Sequence, residues 1–197
     1  MKISNLTTTS AIYTSCAYLL RGTFNAIKDI NTLIDVGRDP MIIDQINNAP
    51  TGVGKKRVEK VVLTHSHYDH AAMLPTIKDV FNPTTYAFLK TSSVDHLLTD
   101  GQMLHLADRT FEVIHIGCHS HDSIWLYCEE EGVLFSGDTP VLFHPQCGAY
   151  SEDFITRFAK MAKRKVTTIY PGHGPPLDNT DGRLLKDSLR FLRQNSK

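Results

Sequence analysis

The chain has 197 residues, 21 Lys+Arg balanced by 21 Asp+Glu, 41% hydrophobic and 21% charged content. That suits one compact domain with a packed core and excludes wholesale disorder. A formal net charge of +0 argues against bulk attraction to nucleic acid or a membrane surface, and the longest apolar runs are far below the roughly 20 residues of a membrane span.

Met1-Lys2-Ile3-Ser4-Asn5 has no basic segment leading into an apolar stretch, so the sequence predicts a soluble, cytoplasmic protein without a secretory signal. In chain order, short buried strands are expected at Tyr18-Leu19-Leu20 and Thr32-Leu33-Ile34, the second stopping at Asp35-Val36-Gly37. Asp39-Pro40 predicts a helix with Asp39 as N-cap, an apolar face of Ile42, Ile43 and Ile46, and an end at Asn47-Asn48-Ala49-Pro50. Lys55-Lys56-Arg57 in the next loop reads as solvated basic surface. Val61-Val62-Leu63 predicts a buried strand, followed by a helix around 75–81, a strand around 86–89 and a short helix capped by Ser92. Strands are expected near 103–106, 111–116, 124–128 and 133–135, with Glu129-Glu130-Glu131-Gly132 as a hairpin turn. Ser151 caps a helix in which Phe154, Phe158 and Met161 recur at helical spacing. A strand at 166–170 and a helix with Leu185, Leu189 and Leu192 on one face close the chain. This loose alternation predicts an α/β layered domain spanning 1–197, with no internal linker or repeat. Cys16, Cys118, Cys128 and Cys147 form no Cys-x-x-Cys pair and read as reduced, mostly buried thiols.

The informative segment is His65-x-His67-x-Asp69-His70, directly after a strand. Three imidazoles and one carboxylate in six positions are ligand types a borderline cation such as zinc accepts. On a regular strand residues 65, 67 and 69 would share a face and His70 would point away. A loop, or a helix starting at Asp69, must therefore do the converging, and ligands on two sides suit two ions better than one. Three more segments place His or Asp beside glycine after an apolar strand: His115-Ile116-Gly117-Cys118-His119-Ser120-His121, Ser136-Gly137-Asp138 and Pro171-Gly172-His173-Gly174.

Taken in order, His65-x-His67-x-Asp69-His70, His119, Ser136-Gly137-Asp138 and Pro171-Gly172-His173-Gly174 resemble the metallo-β-lactamase superfamily, and within it the glyoxalase II-like hydrolases. Leu33-Ile34-Asp35-Val36-Gly37 matches an early motif of the family, so the resemblance runs through most of the chain. It implies an αββα sandwich with a metal pair at one edge. Carried over residue by residue, His65, His67 and His119 would hold one divalent ion. Asp69, His70 and His173 would hold the other, with Asp138 bridging; zinc is the first choice, iron and manganese the alternatives. The middle motif departs from the family's usual prolines and glycines at positions 117, 118, 121 and 122, and its alignment selects His119 rather than His115 or His121. His115 reads as structural, Cys118 as filler, and His96 and His105 as ordinary histidines. His121 and His144 are open as pocket or substrate contacts.

Such a centre would lower the pKa of a shared water, giving a bridging hydroxide that attacks an ester-like acyl bond, with Asp69 orienting it or taking its proton. The expected enzyme is therefore a metal-dependent hydrolase of a small-molecule substrate, with a thioester of the hydroxyacylglutathione type first. No Gly-x-Ser-x-Gly nucleophile motif competes with that reading. Relatives that use glutathione thioesters commonly carry a glycine- and arginine-containing stretch after the bridging aspartate and a further basic C-terminal helical region. Here that stretch reads Thr139-Pro140-Val141-Leu142-Phe143-His144-Pro145-Gln146-Cys147-Gly148 and only 24 residues follow His173, so glutathione itself is not expected. Two alternatives stand: a mononuclear iron persulfide dioxygenase using His65, His119 and Asp138, and a non-catalytic metal-binding domain with a closed coordination shell.

Overall fold

The computed structural model describes residues 1–143 and 150–195. Its strands form two six-stranded mixed sheets. The first contains β1 (Lys2–Asn5), β2 (Tyr18–Arg21), β3 (Thr32–Ile34), β4 (Lys60–Val62), β5 (Thr84–Ala87) and β6 (His96–Leu97), side by side in chain order. The second runs in the order β12 (Leu177–Asp178), β11 (Thr168–Pro171), β10 (Val133–Gly137), β9 (Ile124–Cys128), β8 (Arg109–His115) and β7 (Met103–Leu106). The helices are α1 (Ile42–Asn48), the single turn α2 (Tyr68–Ala71), α3 (Leu74–Phe81), α4 (Glu152–Met161) and α5 (Arg183–Asn195).

Successive strand residues point to opposite faces, and the buried residues sort accordingly. Tyr18, Leu20, Ile34 and Val62 face Phe111, Val113, Leu126 and Phe135 between the sheets. Their neighbours Leu19, Leu33 and Val61 turn outward onto Ile42 and Ile46 of α1 and Leu74 and Ile77 of α3. On the far side Trp125, Tyr127, Leu134 and Ile169 meet Phe154 and Phe158 of α4 and Leu185 and Leu192 of α5. The result is the expected αββα sandwich, in which each fully buried large side chain contributes about 1.5–3 kcal/mol.

Two parallel pairings position the site. β3 pairs with β4, and β10 with β11, both parallel, so the carboxyl ends of all four strands emerge on one edge of the sandwich.

Local differences from the sequence expectation have identifiable causes. No helix forms at Ser92; residues 92–93 are a turn. The Asp95 carboxylate accepts from the Thr85 amide (3.0 Å) and hydroxyl (2.9 Å), which lays the segment along β5 as β6. α1 begins at Ile42 because Asp39 caps a preceding turn instead, accepting from the Met41 amide at 3.0 Å. Lys55 is not simply solvated: its ammonium donates to the carbonyls of Ala26 (2.9 Å) and Asp29 (2.6 Å). Among the described residues no helix is long and apolar enough to cross a membrane.

Candidate metal centre

β4 stops at Val62, and the chain stays non-helical through His67 before turning once as α2. His65 and His67 thus leave from the loop, while Asp69 and His70 leave from the helical turn. His119 comes from the β8–β9 loop, Asp138 follows β10 directly, and His173 follows β11 by two residues. The seven residues fall into two groups, His65/His67/His119 and Asp69/His70/Asp138/His173, each with its potential ligand atoms within 4.8 Å of one another.

In the first group His119 Nε2 lies 2.9 Å from His67 Nδ1. In the second His173 Nε2 lies 3.1 Å from Asp69 Oδ2. Asp138 faces both groups. Its Oδ1 is 3.1 Å from His70 Nε2, and its Oδ2 is 3.5 Å from His173 Nε2 and 3.7 Å from His119 Nε2.

The loops are braced to each other by main-chain bonds. Val36 N donates to His70 O (2.9 Å), Ile124 N to Thr64 O (2.9 Å), Ser15 N to Asp69 O (3.2 Å), and Gly172 N to Gly137 O (2.8 Å). Gly172 is sterically required: a Cβ there would sit 2.1 Å from Asp138 Oδ1 and 2.7 Å from His70 Cε1. Gly137, at φ +52, is in the left-handed region, and a Cβ there would sit 2.7 Å from Thr64 Oγ1.

Sequence reasoning took Asp35 only as part of a motif and gave it no task. It is buried at 2% exposure with φ +56, in a region Asp tolerates better than most residues. Its Oδ1 accepts from the Thr64 amide (2.7 Å); its Oδ2 accepts from the Thr64 hydroxyl (2.7 Å) and from His70 Nδ1 (2.8 Å). Having given its proton to Asp35, Thr64 Oγ1 can accept from His65 Nδ1 at 3.2 Å. One carboxylate therefore fixes an Nδ1–H on both inner histidines and turns each Nε2 toward the centre. The available signal was a carboxylate embedded in an apolar run.

Electrostatics divide the group. Burial pushes His65 down to about 4, so it is neutral at pH 7. Burial also lowers His119. Burial would lower His70 as well, but Asp35 and Asp138 outweigh it and raise His70 to about 10. For Asp138 burial favours the neutral acid, yet the neighbouring imidazoles, His70 first, hold it down at about 2.

These residues fit divalent cations on the structure's own terms. His65 Nε2, His70 Nε2 and Asp138 Oδ1 are buried without a hydrogen-bond partner. At 3.1 Å, His70 Nε2 and Asp138 Oδ1 are close enough to bond but misaligned for it. Buried polar atoms left so are costly unless something else binds them, and nitrogen and carboxylate donors suit zinc, iron or manganese.

A depression of about 350 Å³ opens beside the centre, lined by His119, Asp138 and His173 together with Pro140, Val141 and Leu142. Tyr13, which sequence reasoning missed because it stands alone in a polar loop, stacks on His173 (centroids 4.9 Å, 15° between planes) with its hydroxyl 3.3 Å from Nε2. Other histidines lie outside both groups. His115 stacks on Phe88 at 4.0 Å and donates to the His121 carbonyl (2.7 Å), a structural role. His121 is exposed, His96 stacks on Tyr86, and His105 is exposed on β7. Cys118 is half-buried against the α4–α5 core, and burial lifts its thiol to about 11. His144 and Cys147 lie outside the described residues.

The family model described as the metallo-β-lactamase superfamily matches residues 15–96 and 87–173. An atrochrysone carboxyl ACP thioesterase of Paecilomyces divaricatus is 29% identical over 147 residues, covering 72% of this chain and 46% of its own. A Schizosaccharomyces pombe protein named as a probable hydroxyacylglutathione hydrolase is 32% identical over 126 residues, 59% of this chain and 48% of its own. The chain thus spans about half the length of these curated relatives. Among solved structures, the B3 metallo-β-lactamase BLEG-1 superposes with a TM-score of 0.67 at 24% identity, covering 90% of this chain and 94% of that one, a likeness of fold.

Proposed function

The chain belongs to the metallo-β-lactamase superfamily, and on that ground we propose that it is a metal-dependent hydrolase of ester-like acyl bonds, with a small-molecule thioester as first substrate. The observation that carries this reading is the pair of His/Asp groups meeting at Asp138 beside an open depression. In it His65, His67 and His119 would hold one cation and Asp69, His70 and His173 another, with Asp138 facing both groups. Bound zinc, or iron or manganese, would supply a hydroxide nucleophile at neutral pH and polarise the scissile carbonyl.

The protein's residues do the rest. Asp35 keeps His65 and His70 aimed inward. Asp69, beside His173, orients the attacking water and takes its proton. Pro140, Val141 and Leu142 form a wall for the acyl part, which orients the carbonyl toward the centre. No protein nucleophile is needed, consistent with a Cys118 thiol that burial keeps protonated. The thioesterase and hydrolase names of the relatives support the same class.

The test is a panel of thioesters, esters, lactones and phosphodiesters offered to protein stripped with chelator and reloaded with zinc, manganese or iron. Thioester hydrolysis should appear only after reloading and fall at least about 100-fold in Asp138→Ala, the larger end of what even outer-sphere changes cost. Oxygen uptake with a persulfide and a single iron would assign the dioxygenase reading instead. Tight metal binding without turnover on any member would leave a binding domain.

A further inference from the structure

At the edge opposite the candidate metal centre, the first sheet ends in two loops laced together. Residues 22–31 link β2 to β3, and residues 49–59 link α1 to β4. Asn25 Nδ2 and the Arg21 guanidinium both donate to the Pro50 carbonyl (3.1 and 3.0 Å). Lys55 bonds the carbonyls of Ala26 and Asp29, and the buried Asn31 amide bonds those of Thr51 (2.9 Å) and Lys56 (2.8 Å). The main chain is therefore well tied, and its turn tips are presented on a firm base.

Those tips carry large apolar side chains. Phe24 and Ile27 are each 90% exposed and Val53 is 103% exposed, above every other large hydrophobic residue among those described. Beside them in sequence stand Lys28, Lys56 and Arg57, all exposed and without an ion pair among the described residues. The carboxylates of the two loops, and Asp108 beside them, are engaged within the fold. Asp29 is buried and accepts from the Ala26 amide (2.8 Å). Asp108 accepts from the Thr23 amide (2.9 Å) and pairs with Arg109 (3.0 Å), and Glu59 accepts from the Asn31 amide (2.8 Å). The chain is neutral as a whole, and the acidic β9–β10 turn stands at the same end with Glu130 and Glu131 paired to Arg109. The two loops themselves, however, present Lys28, Lys56 and Arg57 and no exposed carboxylate.

We propose that this end of the molecule docks on an anionic lipid bilayer surface. Apolar side chains standing singly on turn tips need a medium that accepts protrusions in any arrangement, which the headgroup–acyl boundary provides. The surrounding ammonium and guanidinium groups complement lipid phosphates and carboxylates at the same depth. A folded protein partner would instead need separate cavities matched to three turns. β2 and β3 run from this end to the other: Arg21 and Thr32 lie near the tips, whereas Tyr18, whose hydroxyl donates to the Pro171 carbonyl (2.7 Å), and Asp35 lie at the metal centre. Docking thus leaves the candidate centre facing the aqueous phase. The proposal is independent of the catalytic reading.

The experiment is co-sedimentation of the full chain with phosphatidylcholine vesicles and with mixed phosphatidylcholine–phosphatidylserine vesicles. Binding is expected only to the mixed vesicles, weakening as salt rises. The triple variant Phe24→Ser, Ile27→Ser, Val53→Ser and the triple variant Lys28→Glu, Lys56→Glu, Arg57→Glu should each lower apparent affinity at least about tenfold. Both leave the core untouched, so unchanged melting curves will show them folded. In Phe24→Trp, emission should move to the blue on adding mixed vesicles, against the constant background of Trp125, which is 0% exposed. No sedimentation of the parent chain, or binding that ignores both triple variants, overturns the proposal. So does concentration-dependent self-association without lipid that disappears in the serine variant, which would assign the tips to a second copy of the chain.

Discussion

A carboxylate enclosed between Ile34 and Val36 at 2% exposure would be strongly destabilising without partners, yet Asp35 receives three hydrogen bonds and holds His70 by a fourth function, its charge. It touches no substrate; it acts through the two inner histidines. Asp35→Asn keeps the shape but removes the charge, and an amide cannot serve as acceptor for the hydroxyl, the amide and the imidazole as well as a carboxylate does. Zinc affinity, read by competition with a chromophoric chelator, should drop about 10- to 100-fold. Affinity equal to that of the parent chain would show that the inner histidines orient themselves. His65, His67, Asp69 and His70 stood out in the sequence because four ligand-type residues in six positions are rare by chance, and His119, Asp138 and His173 were singled out by the family resemblance. Asp35 and Tyr13 were not, since their significance lies in what they touch: a threonine and a histidine about 30 residues away for one, and an imidazole at the far end of the chain for the other.

At the scale of elements, α4 illustrates a feature that sequence alone predicts well. Ser151 stands outside the helix in an extended conformation, and its hydroxyl accepts from the Phe154 amide at 3.2 Å, while Phe154, Phe158 and Met161 bury one face. Ser151→Ala should cost about 1 kcal/mol in chemical denaturation, with hydrolysis unchanged. A loss near zero would mean solvent satisfies that amide equally well. The same logic fails at Asp39 and Ser92, where the capping residue is present but a helix does not follow directly. Asp39 spends its carboxylate on Met41 and on the Ser10 hydroxyl. Near Ser92 the Asp95–Thr85 hydrogen bonds select an added strand, a long-range choice that local propensity cannot register. Turn residues announce that the chain changes direction; the partner segment decides into what.

For the molecule as a whole, the alternation of strands and helices pointed only to an α/β layered domain, and the two-sheet sandwich with helices outside was what the family resemblance implied. What alternation could not give is which strand ends share an edge. That follows from the parallel pairing of β3 with β4 and of β10 with β11. The price of gathering like groups there is visible in pH behaviour. In the metal-free protein His70 is raised to about 10, against an unfolded value near 6.5, chiefly by Asp35 and Asp138 acting against burial. Its protonated form therefore stabilises the fold fully below about pH 6.5, and that contribution is lost as pH rises through about 10. Melting of chelator-treated protein should accordingly fall over that range, while zinc affinity rises as the competing proton leaves. Melting that is flat or increasing across it would place His70 in a different charge state.

The most direct measurement is the number of zinc ions retained per chain after saturation and desalting, determined by elemental analysis on the parent protein and on Asp138→Ala. The account predicts two per chain in the parent and fewer in the variant. No retained zinc, or a count indifferent to Asp138, would contradict it.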